Sequence, residues 1–507
     1  MQVKQQRDPY LFFGNNNLLA IIILIILISI SIRFPFNFKD FFSRDEITYV
    51  IMGKLVAEGQ IPFVNFWEMK PSFAWYIYSI LYKLSSGNIF YFRFLSSIIL
   101  SISALVLFLI SLKLSQNIRN SFFISILFTI SQSFLLSDGK EVLTEHFCLI
   151  FFLIGIFFII NKKYFLLAGF FFVLSVLIRL NIALPICGII IYQIIILKKK
   201  EINISNFLNL ILPIFIIPLF LIIYYILINQ LEVFYDTYIN VPKIYSNLGY
   251  KDKSLFDISE VFLKSLLAPN DINIYNRLIF WLFSLIGFII VLRKKKFSNY
   301  KFNIFNIAAI LTFLSLIPGG RYFPHYFIQV MPFAAFFFIS LFENKKDIKR
   351  FLILLILPFP LLFKYPIVEI NNILKYKDDN LNYGCGNEIY KFLKDKIKQE
   401  EKIFANACHV IYLYLDKYPP TKFIHPNWIK KSREDVVKVI SKNSVKEEYE
   451  NILNSVNYLV LPHKIDELPV RYDVDNEIVH AFKIIKKFSF EEQFYRPYRN
   501  LYIYTKN

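Results

Sequence analysis

The sequence has few charged residues and very few cysteines for a chain of 507 residues. Only 19% of the residues are charged, whereas soluble globular proteins are about a quarter charged, so an ordinary soluble enzyme is excluded. Four cysteines are too few for a disulfide-stapled scaffold. Apolar residues are abundant instead: 56% of the chain is hydrophobic and 57 residues are Phe, which also excludes a disordered chain. The composition is that of a polytopic membrane protein.

Long runs without Asp, Glu, Lys or Arg mark the predicted membrane spans. A spanning helix needs about 20 mostly apolar residues. Seven runs are long enough by themselves, and four shorter ones can be extended by interfacial flanking residues, so we predict about eleven transmembrane helices. They lie at 9–32, 94–112, 120–137, 146–161, 164–178, 180–197, 202–231, 278–292, 302–320, 322–342 and 351–363.

Lysine and arginine are concentrated on one side of this predicted topology. Five short connections on that side carry sixteen of them, whereas the long loops near 35–92 and 229–276 are close to charge balance. Basic short loops stay in the cytoplasm. We therefore place the N-terminus in the cytoplasm, and the long loops and the C-terminus on the outer side of the inner membrane. Most of the net charge of +19 is therefore the signal that orients the chain in the lipid bilayer. We expect membrane lipids, and no nucleic acid, as partners.

The chain changes character after residue 364, where charge becomes frequent and apolar runs shrink to strand length. We predict a transmembrane catalytic domain over 1–364 and a small extracytoplasmic α/β domain over 365–507. Cys385 and Cys408 both fall in the second domain; they either form a disulfide or remain separate thiols. Its strands are predicted at 402–407, 421–425, 457–462 and 501–505, and its helices at 387–399, 408–416 and 433–442.

The first outer loop carries ionisable residues where a membrane protein seldom tolerates them without a purpose. Asp45 and Glu46 open a predicted helix that ends near Glu58, and Lys70 precedes an aromatic amphipathic helix over 72–84. Each residue also has a simpler explanation. Asp45 could be a helix N-cap, and Lys70 could be a lysine that snorkels to the interface.

Further polar clusters lie at the outer ends of later helices. Glu145 and Arg179 each adjoin a long apolar run and therefore need a partner or water. A third cluster combines Arg321 with His325 and Tyr326. Because all these charges gather at one face and not at mid-membrane, we predict a reaction site at the outer interface.

In order along the chain, these residues resemble the GT-C membrane glycosyltransferases, closest to the protein O-mannosyltransferase and aminoarabinose transferase group. The first loop has D-E-x-x-Y at 45–49 and G-x-x-P-x-x-x-x-W-x-x-K-P at 59–71, followed by Arg93. T-E at 144–145 and R-Y-x-x-H-Y-x-x-x-x-x-P at 321–332 continue the pattern. The outer α/β tail also suits bacterial members.

The resemblance implies a polyprenyl-phosphate-linked sugar as donor and a lipid, glycan or protein hydroxyl as acceptor. It implies that Asp45 is the base or orients the acceptor, that Lys70 contacts the lipid phosphate, and that Glu145 is a second acidic position. The predicted site residues are Asp45, Glu46 and Glu145 for catalysis, Lys70, Arg93, Arg179 and Arg321 for the donor phosphate, and Tyr49, Trp67, His325 and Tyr326 for substrate binding.

Two positions depart from the aminoarabinose transferase pattern. Thr48 stands where those enzymes carry an Arg, and Met69 stands where they place a metal-ligating Glu, with Glu68 one residue away.

Glycosyl transfer from a lipid phosphate needs a base for the hydroxyl and positive charge for the leaving phosphate. Because that leaving group is not a diphosphate, we predict no obligatory metal or other cofactor, although a divalent ion is compatible with the chemistry.

Three other functions remain alternatives. A lipid-linked-sugar flippase or transporter would show internal repeats and charged or broken helices near mid-membrane; the sequence shows no evident repeat, and its charges lie at one face. A non-catalytic scaffold for glycan assembly would dispense with the carboxylates that are present here. An O-antigen ligase or polymerase would use the same chemistry on another acceptor.

Overall fold

The computed structural model describes residues 15–40, 42–135, 139–250, 253–267, 274–293, 299–318, 322–342, 364–376, 382–490 and 500–506. The helices used below are α1 Asn15–Arg33, α2 Arg44–Ala57, α3 Phe73–Leu84, α4 Ile89–Ser115, α5 Ile118–Ile130, α6 Thr144–Ile160, α7 Phe165–Val176, α8 Ala183–Lys198, α9 Ile204–Leu227, α10 Leu231–Tyr235, α11 Val241–Tyr250, α12 Leu255–Leu267, α13 Ile274–Arg293, α14 Tyr300–Leu314, α15 Met331–Ser340, α16 Lys364–Tyr376, α17 Cys385–Leu393, α18 Ile411–Tyr414, α19 Glu434–Ser441, α20 Val445–Ser455, α21 Leu468–Tyr472 and α22 Asn476–His480. The strands are β1 Ile403–Ala405, β2 Tyr458–Leu461, β3 Phe482–Ser489 and β4 Asn500–Lys506.

Five helical segments among the described residues are long and apolar enough to cross a membrane, as expected of an integral membrane protein. They are Asn17–Phe38, Ile89–Ser115, Leu180–Lys198, Ile204–Leu227 and Tyr275–Arg293. Four shorter apolar helices, α6, α7, α14 and α15, coincide with further predicted spans. The predicted span at 351–363 lies outside the described residues, and the count of eleven stays a prediction.

The chain divides into two compact units. Unit 1 contains residues 1–35, 96–221 and 249–368, and unit 2 contains residues 36–95, 222–248 and 369–507. Unit 2 therefore includes both the first outer loop and the C-terminal region. The predicted functional boundary between 364 and 365 stays a prediction.

Unit 1 is a bundle of apolar helices that pack through aromatic side chains and close backbone approaches. The ring of Phe305 on α14 lies 5.0 Å from that of Phe333 and 4.7 Å from that of Phe336. Gly169 on α7 lies against the backbone carbonyl of Leu210 on α9, where any β-carbon would collide with the oxygen. This contact requires glycine at position 169.

Unit 2 contains a four-stranded sheet in the order β1-β2-β4-β3. β1 and β2 are parallel, and β4 is antiparallel to both β2 and β3. The predictions of β1, β2 and β4 are confirmed. The predicted strand at 421–425 is wrong, because that segment forms only an isolated bridge between Trp67 and Phe423. β3 was not predicted: its exposed lysines are typical of a sheet edge.

The first outer loop forms the two predicted helices, α2 and α3, which pack closely together. Gly53 on α2 would place a β-carbon 2.7 Å from the backbone of Tyr78 on α3, so glycine is needed for this approach. Almost all of α2 is buried from Glu46 onward. A helix that is buried on every side, including its charged residues, needs a partner for each of those charges.

The start of the loop is joined to the C-terminal region by Asp40. Its carboxylate accepts a hydrogen bond of 2.8 Å from the backbone N–H of Asn387, in the first turn of α17, where negative charge is favoured. Gly384, with φ of +148°, precedes that helix and leaves room for the Asp40 side chain. Cys385 and Cys408 form a disulfide beside this contact, which resolves the alternatives left by their spacing.

Replacing Cys385 and Cys408 together with Ser should lower the free energy of unfolding of unit 2 by about 3 kcal/mol, because the bond closes a loop of 23 residues. Denaturant unfolding followed by tryptophan fluorescence measures the change. Cys187→Ser, which removes an exposed free thiol, is the control. Reductant should reproduce the loss in wild type, and equal stability of double variant and wild type would contradict a stabilising bond.

Asp40 should make stability depend on pH. Burial raises the pKa of Asp40 from 3.8 to about 6, against the opposing effects of the Asn387 amide and the Arg93 and Lys39 charges. Because the folded state binds this proton more tightly, the stabilisation is complete below about pH 4 and is lost as the pH rises through about 6. The Tm of Asp40→Asn should fall less than that of wild type over this range. Parallel Tm curves for wild type, Asp40→Asn and the exposed control Asp395→Asn would contradict the assignment.

Candidate active site

Asp45 lies at the start of α2 but does not cap it. Ser43 is the N-cap, and its hydroxyl accepts a hydrogen bond from the backbone N–H of Glu46. The Asp45 carboxylate instead lies 2.7 Å from Nε2 of His425, and its side chain remains 29% exposed. The alternative explanation of Asp45 as an N-cap is therefore wrong, and its side chain is partly exposed.

Glu46 points the other way and is buried against Arg93 of α4. Arg93 donates from Nε to one carboxylate oxygen at 2.9 Å and from a terminal nitrogen to the other at 2.5 Å. Both side chains are almost fully buried. A bidentate buried pair of this kind satisfies both charges, which favours a structural role for these two predicted site residues.

Lys70 is held by Glu68 over the ring of Tyr49. Its ammonium donates to Glu68 Oε1 at 3.1 Å and lies 5.2 Å from the Tyr49 ring centroid. The other oxygen of Glu68 accepts a hydrogen bond of 2.6 Å from the indole N–H of Trp428. Lys70 is less buried than its partner, with 15% of its side chain exposed. The Glu68 carboxylate fixes the position of Lys70. A lysine that only snorkels to the interface would not need such a partner.

Trp67 lies in the same part of unit 2 as a buried packing residue. Its indole N–H donates to Thr237 at 3.0 Å, and its ring meets the rings of Trp428 and Phe423 edge-on. Its backbone N–H donates to the carbonyl of Lys422 at 2.7 Å. Trp67 thus joins the W-x-x-K-P segment to the C-terminal region.

Glu68 does not fit the metal-ligand position that the resemblance suggested. Both of its carboxylate oxygens already accept hydrogen bonds, one from Lys70 and one from Trp428. Among the described residues, no group of three His, Cys, Asp or Glu side chains is placed to hold a metal ion. Metal independence stays a prediction.

A second histidine supports the opening turns of α2. His409 Nε2 donates to the backbone carbonyl of Arg44 at 3.1 Å and lies 3.1 Å from the hydroxyl of Thr48. Burial is the main cause that lowers the pKa of His409 well below its usual value, and the charge of Arg44 acts in the same direction. His409 is therefore a neutral anchor, and Thr48 has it as a structural partner.

Unit 1 brings four other predicted residues together. Arg179 forms an ion pair of 2.6 Å with Glu145 and lies 4.9 Å over the ring of Tyr326. Nε2 of His325 lies 3.7 Å from the same Glu145 carboxylate. Arg321 lies outside the described residues.

An apolar cavity of about 510 Å³ lies elsewhere in unit 1. Helices α12, α13, α14 and α15 contribute its walls, which are mostly leucine and phenylalanine side chains. Such a lining accepts a hydrocarbon chain and offers almost nothing to a sugar or a phosphate. Its walls include Leu263, Leu267, Trp281, Leu285, Phe313 and Phe337.

The sequence analysis missed His425, Asn427 and Trp428, which contact the first-loop residues. The signal was present as the tetrapeptide H-P-N-W at 425–428, which combines hydrogen-bonding side chains with a proline turn. The predicted strand at 421–425 ends on His425, the first residue of this tetrapeptide, so the sequence prediction contains no turn there. Their partners are about 360 to 380 positions away in the chain, a distance that local patterns do not reveal.

No family model matches the sequence, and neither does any curated protein sequence. The chain is similar to the crystal structure of ArnT from Cupriavidus metallidurans in the apo state, with 12% identity and a TM-score of 0.52 over 95% of this chain and 97% of that one. It is also similar to the structure of ArnT from Cupriavidus metallidurans bound to undecaprenyl phosphate, with 11% identity and a TM-score of 0.54 over 97% of this chain and 98% of that one. The resemblance to GT-C membrane glycosyltransferases is thus confirmed at the level of the fold.

Proposed function

We propose that this protein is an integral-membrane glycosyltransferase that moves a sugar from a polyprenyl-phosphate donor to an acceptor hydroxyl outside the cytoplasm. The acceptor is a lipid, a glycan or a protein. The observation that carries the proposal is the state of Asp45: a partly exposed carboxylate with one oxygen fixed by an imidazole, on the first loop of a chain with the ArnT fold.

The three acids near this site differ in a way that favours Asp45 as the base. Glu46 is saturated by Arg93, and Glu68 is saturated by Lys70 and Trp428, each almost fully buried. Asp45 lies against His425, but its side chain is 29% exposed, whereas those of Glu46 and Glu68 are 1% exposed. A general base must reach the proton that it removes, so we assign this role to Asp45.

The reaction we propose is a displacement at the anomeric carbon. The acceptor oxygen forms a bond to that carbon, and the bond from the carbon to the phosphate oxygen breaks. The hydroxyl proton passes to Asp45, and polyprenyl phosphate leaves with an additional negative charge. Lys70 is the cation we place at that phosphate, where charge develops during the reaction.

Two observations support a lipid-linked donor. One of the structures to which the chain is similar is bound to undecaprenyl phosphate. The apolar cavity in unit 1 has the lining that a hydrocarbon chain requires. We propose that the polyprenyl or acyl chains of the substrates occupy apolar surface of the kind that lines this cavity.

The remaining site predictions keep a place in this proposal. Arg179 and Arg321 are candidates for further phosphate contacts, Glu145 is the second acidic position, and His325 and Tyr326 are candidates for substrate contacts. The protein would lie in the inner membrane with its N-terminus in the cytoplasm and its C-terminal region outside, as the distribution of basic loops predicts.

Asp45→Asn should reduce transfer at least about 100-fold, because the amide cannot accept the hydroxyl proton. Radiolabelled polyprenyl-phosphate hexoses and pentoses would be offered in liposomes with a crude envelope extract as acceptor, and release of label from the lipid would be measured. Asp395→Asn, an exposed residue of the same unit, is the matched control and should behave like wild type.

Two outcomes of this assay would contradict the proposal. If wild type leaves every donor intact but moves labelled lipid across the bilayer, the protein is a flippase. If Asp45→Asn transfers sugar as fast as wild type, glycosyl transfer stands and Asp45 is not its base.

Lys70→Ala should raise the KM for the donor, lower kcat, or both, by a combined factor of about 100 in kcat/KM, because it removes the charge facing the leaving phosphate. Lys70→Arg keeps the charge and should retain more activity than the alanine variant. The exposed Lys83→Ala at the end of α3 is the control. Normal turnover by Lys70→Ala would remove Lys70 from the phosphate site.

A further inference from the structure

Residues 425–428 of the C-terminal region form a short turn whose polar side chains all contact the first outer loop. His425 caps a 3-10 turn, Pro426–Trp428, by accepting the backbone N–H of Asn427 at its Nδ1. Its Nε2 lies 2.7 Å from Asp45, and the Asn427 side-chain oxygen accepts a 2.6 Å hydrogen bond from Arg44. We call residues 425–428 the HPNW turn.

The tautomer of His425 follows from these contacts. Nδ1 accepts a backbone N–H at 3.1 Å, so it carries no proton. The ring proton is therefore on Nε2, which donates to the Asp45 carboxylate at 2.7 Å. Since the turn itself fixes the acceptor nitrogen, the orientation of the donor toward Asp45 is determined by the backbone at Asn427.

Trp428 acts on the other charged residue of the proposed site through Glu68. Its indole N–H donates to Glu68 Oε2, and Glu68 Oε1 accepts from Lys70. Stacking of Arg433 on the Trp428 ring, at 4.3 Å, and the edge contact with Trp67 restrict the ring. The position of Lys70 therefore depends on Glu68, and the position of Glu68 depends in turn on its hydrogen bond from Trp428.

We infer that the HPNW turn is the positioning element of the proposed active site, in which His425 orients the Asp45 base and Trp428 orients Lys70 through Glu68. This inference rests on the proposed glycosyl transfer and adds residues that are about 360 to 380 positions from those they orient. His425 and Trp428 are positioning residues, because each acts through another side chain.

The two arms of the turn should affect different kinetic constants. His425 acts on the base, which matters in the transition state and not in donor binding, so its loss should lower kcat and leave KM nearly unchanged. Trp428 acts on Lys70, which meets the donor phosphate both when the donor binds and as charge develops on it, so its loss should raise the KM for the donor as well as lower kcat. A purely structural role would instead reduce the amount of folded enzyme in both cases.

The His425 arm is tested with two substitutions of different chemistry. His425→Phe keeps an aromatic ring without the N–H donor and should lower kcat by about 10- to 100-fold, as expected when a reacting group is misplaced. His425→Gln restores an N–H near the position of Nε2 and should recover most of that loss. The exposed His480→Gln, in the same unit, is the control and should match wild type.

The Trp428 arm is tested with Trp428→Phe, which keeps a ring but removes the indole N–H. Its kcat/KM for the donor should fall by about 10-fold, with a raised KM, and an unchanged donor KM would contradict this arm. The Tm and the monodispersity of each variant are also measured, because both report folding independently of activity. The kcat of each variant is then expressed per folded molecule.

The outcomes separate this inference from the function on which it rests. Wild type that transfers no sugar from any donor overturns the proposed function and this inference with it. Active wild type with unchanged kinetics in His425→Phe overturns this inference alone. Equal losses in the Phe and Gln variants, together with a lowered Tm in both, would assign His425 a structural role and would also overturn it.

Discussion

The need to pair every buried charge on α2 determines the organisation of the first outer loop. Glu46 is buried and is matched by Arg93, while the buried ammonium of Lys54 is matched by Asp416. Removing one member of the buried pair of Glu46 and Arg93 costs about 3–5 kcal/mol, because the other is left without compensation. The helix therefore depends on α4 for its position and also contacts the C-terminal region through Lys54. That position sets the direction of Asp45.

The C-terminal region consequently belongs to the same compact unit as the loop. It contributes the disulfide next to His409, the turn that contains His425, and the helix whose first turn binds Asp40. A separate domain that only selected an acceptor would not need these buried contacts with the first loop. Its small sheet then supports the connecting segments that contact helices α2 and α3 of the first outer loop. Rigid scaffolds commonly position reactive side chains in this way.

Local patterns were sufficient to predict most of the regular structure. Apolar runs located the described spans, the helices α2 and α3 appear where their periodicity placed them, and β1, β2 and β4 occupy the predicted runs. The failures have physical causes. The run at 421–425 is apolar because it packs beside Trp67, not because it pairs in a sheet, and β3 is an edge strand whose lysines mask its apolar residues.

The candidate site was less accessible to sequence reasoning than the fold. Asp45, Glu46 and Glu68 are all acids of the same loop, and no local property distinguishes the partly exposed Asp45 from the two buried glutamates. The difference depends on Arg93 in the next helix and on Trp428 and His425 near the other end of the chain. Contacts at such separations are set by packing of the whole unit, so they become visible only with the fold.

This division of roles among three acids also explains how one site can manage opposite charge requirements. In the proposed transfer, Asp45 loses its negative charge when it takes the hydroxyl proton, while the leaving phosphate gains one. The His425 donor stabilises the charge of Asp45 before transfer, and Lys70 meets the phosphate charge that appears during it. Glu68 keeps the ammonium of Lys70 compensated in a largely buried position until then. Because preorganised charges contribute most when they need not move during the reaction, the rigid turn that holds both partners is as much a requirement of this chemistry as the residues it holds.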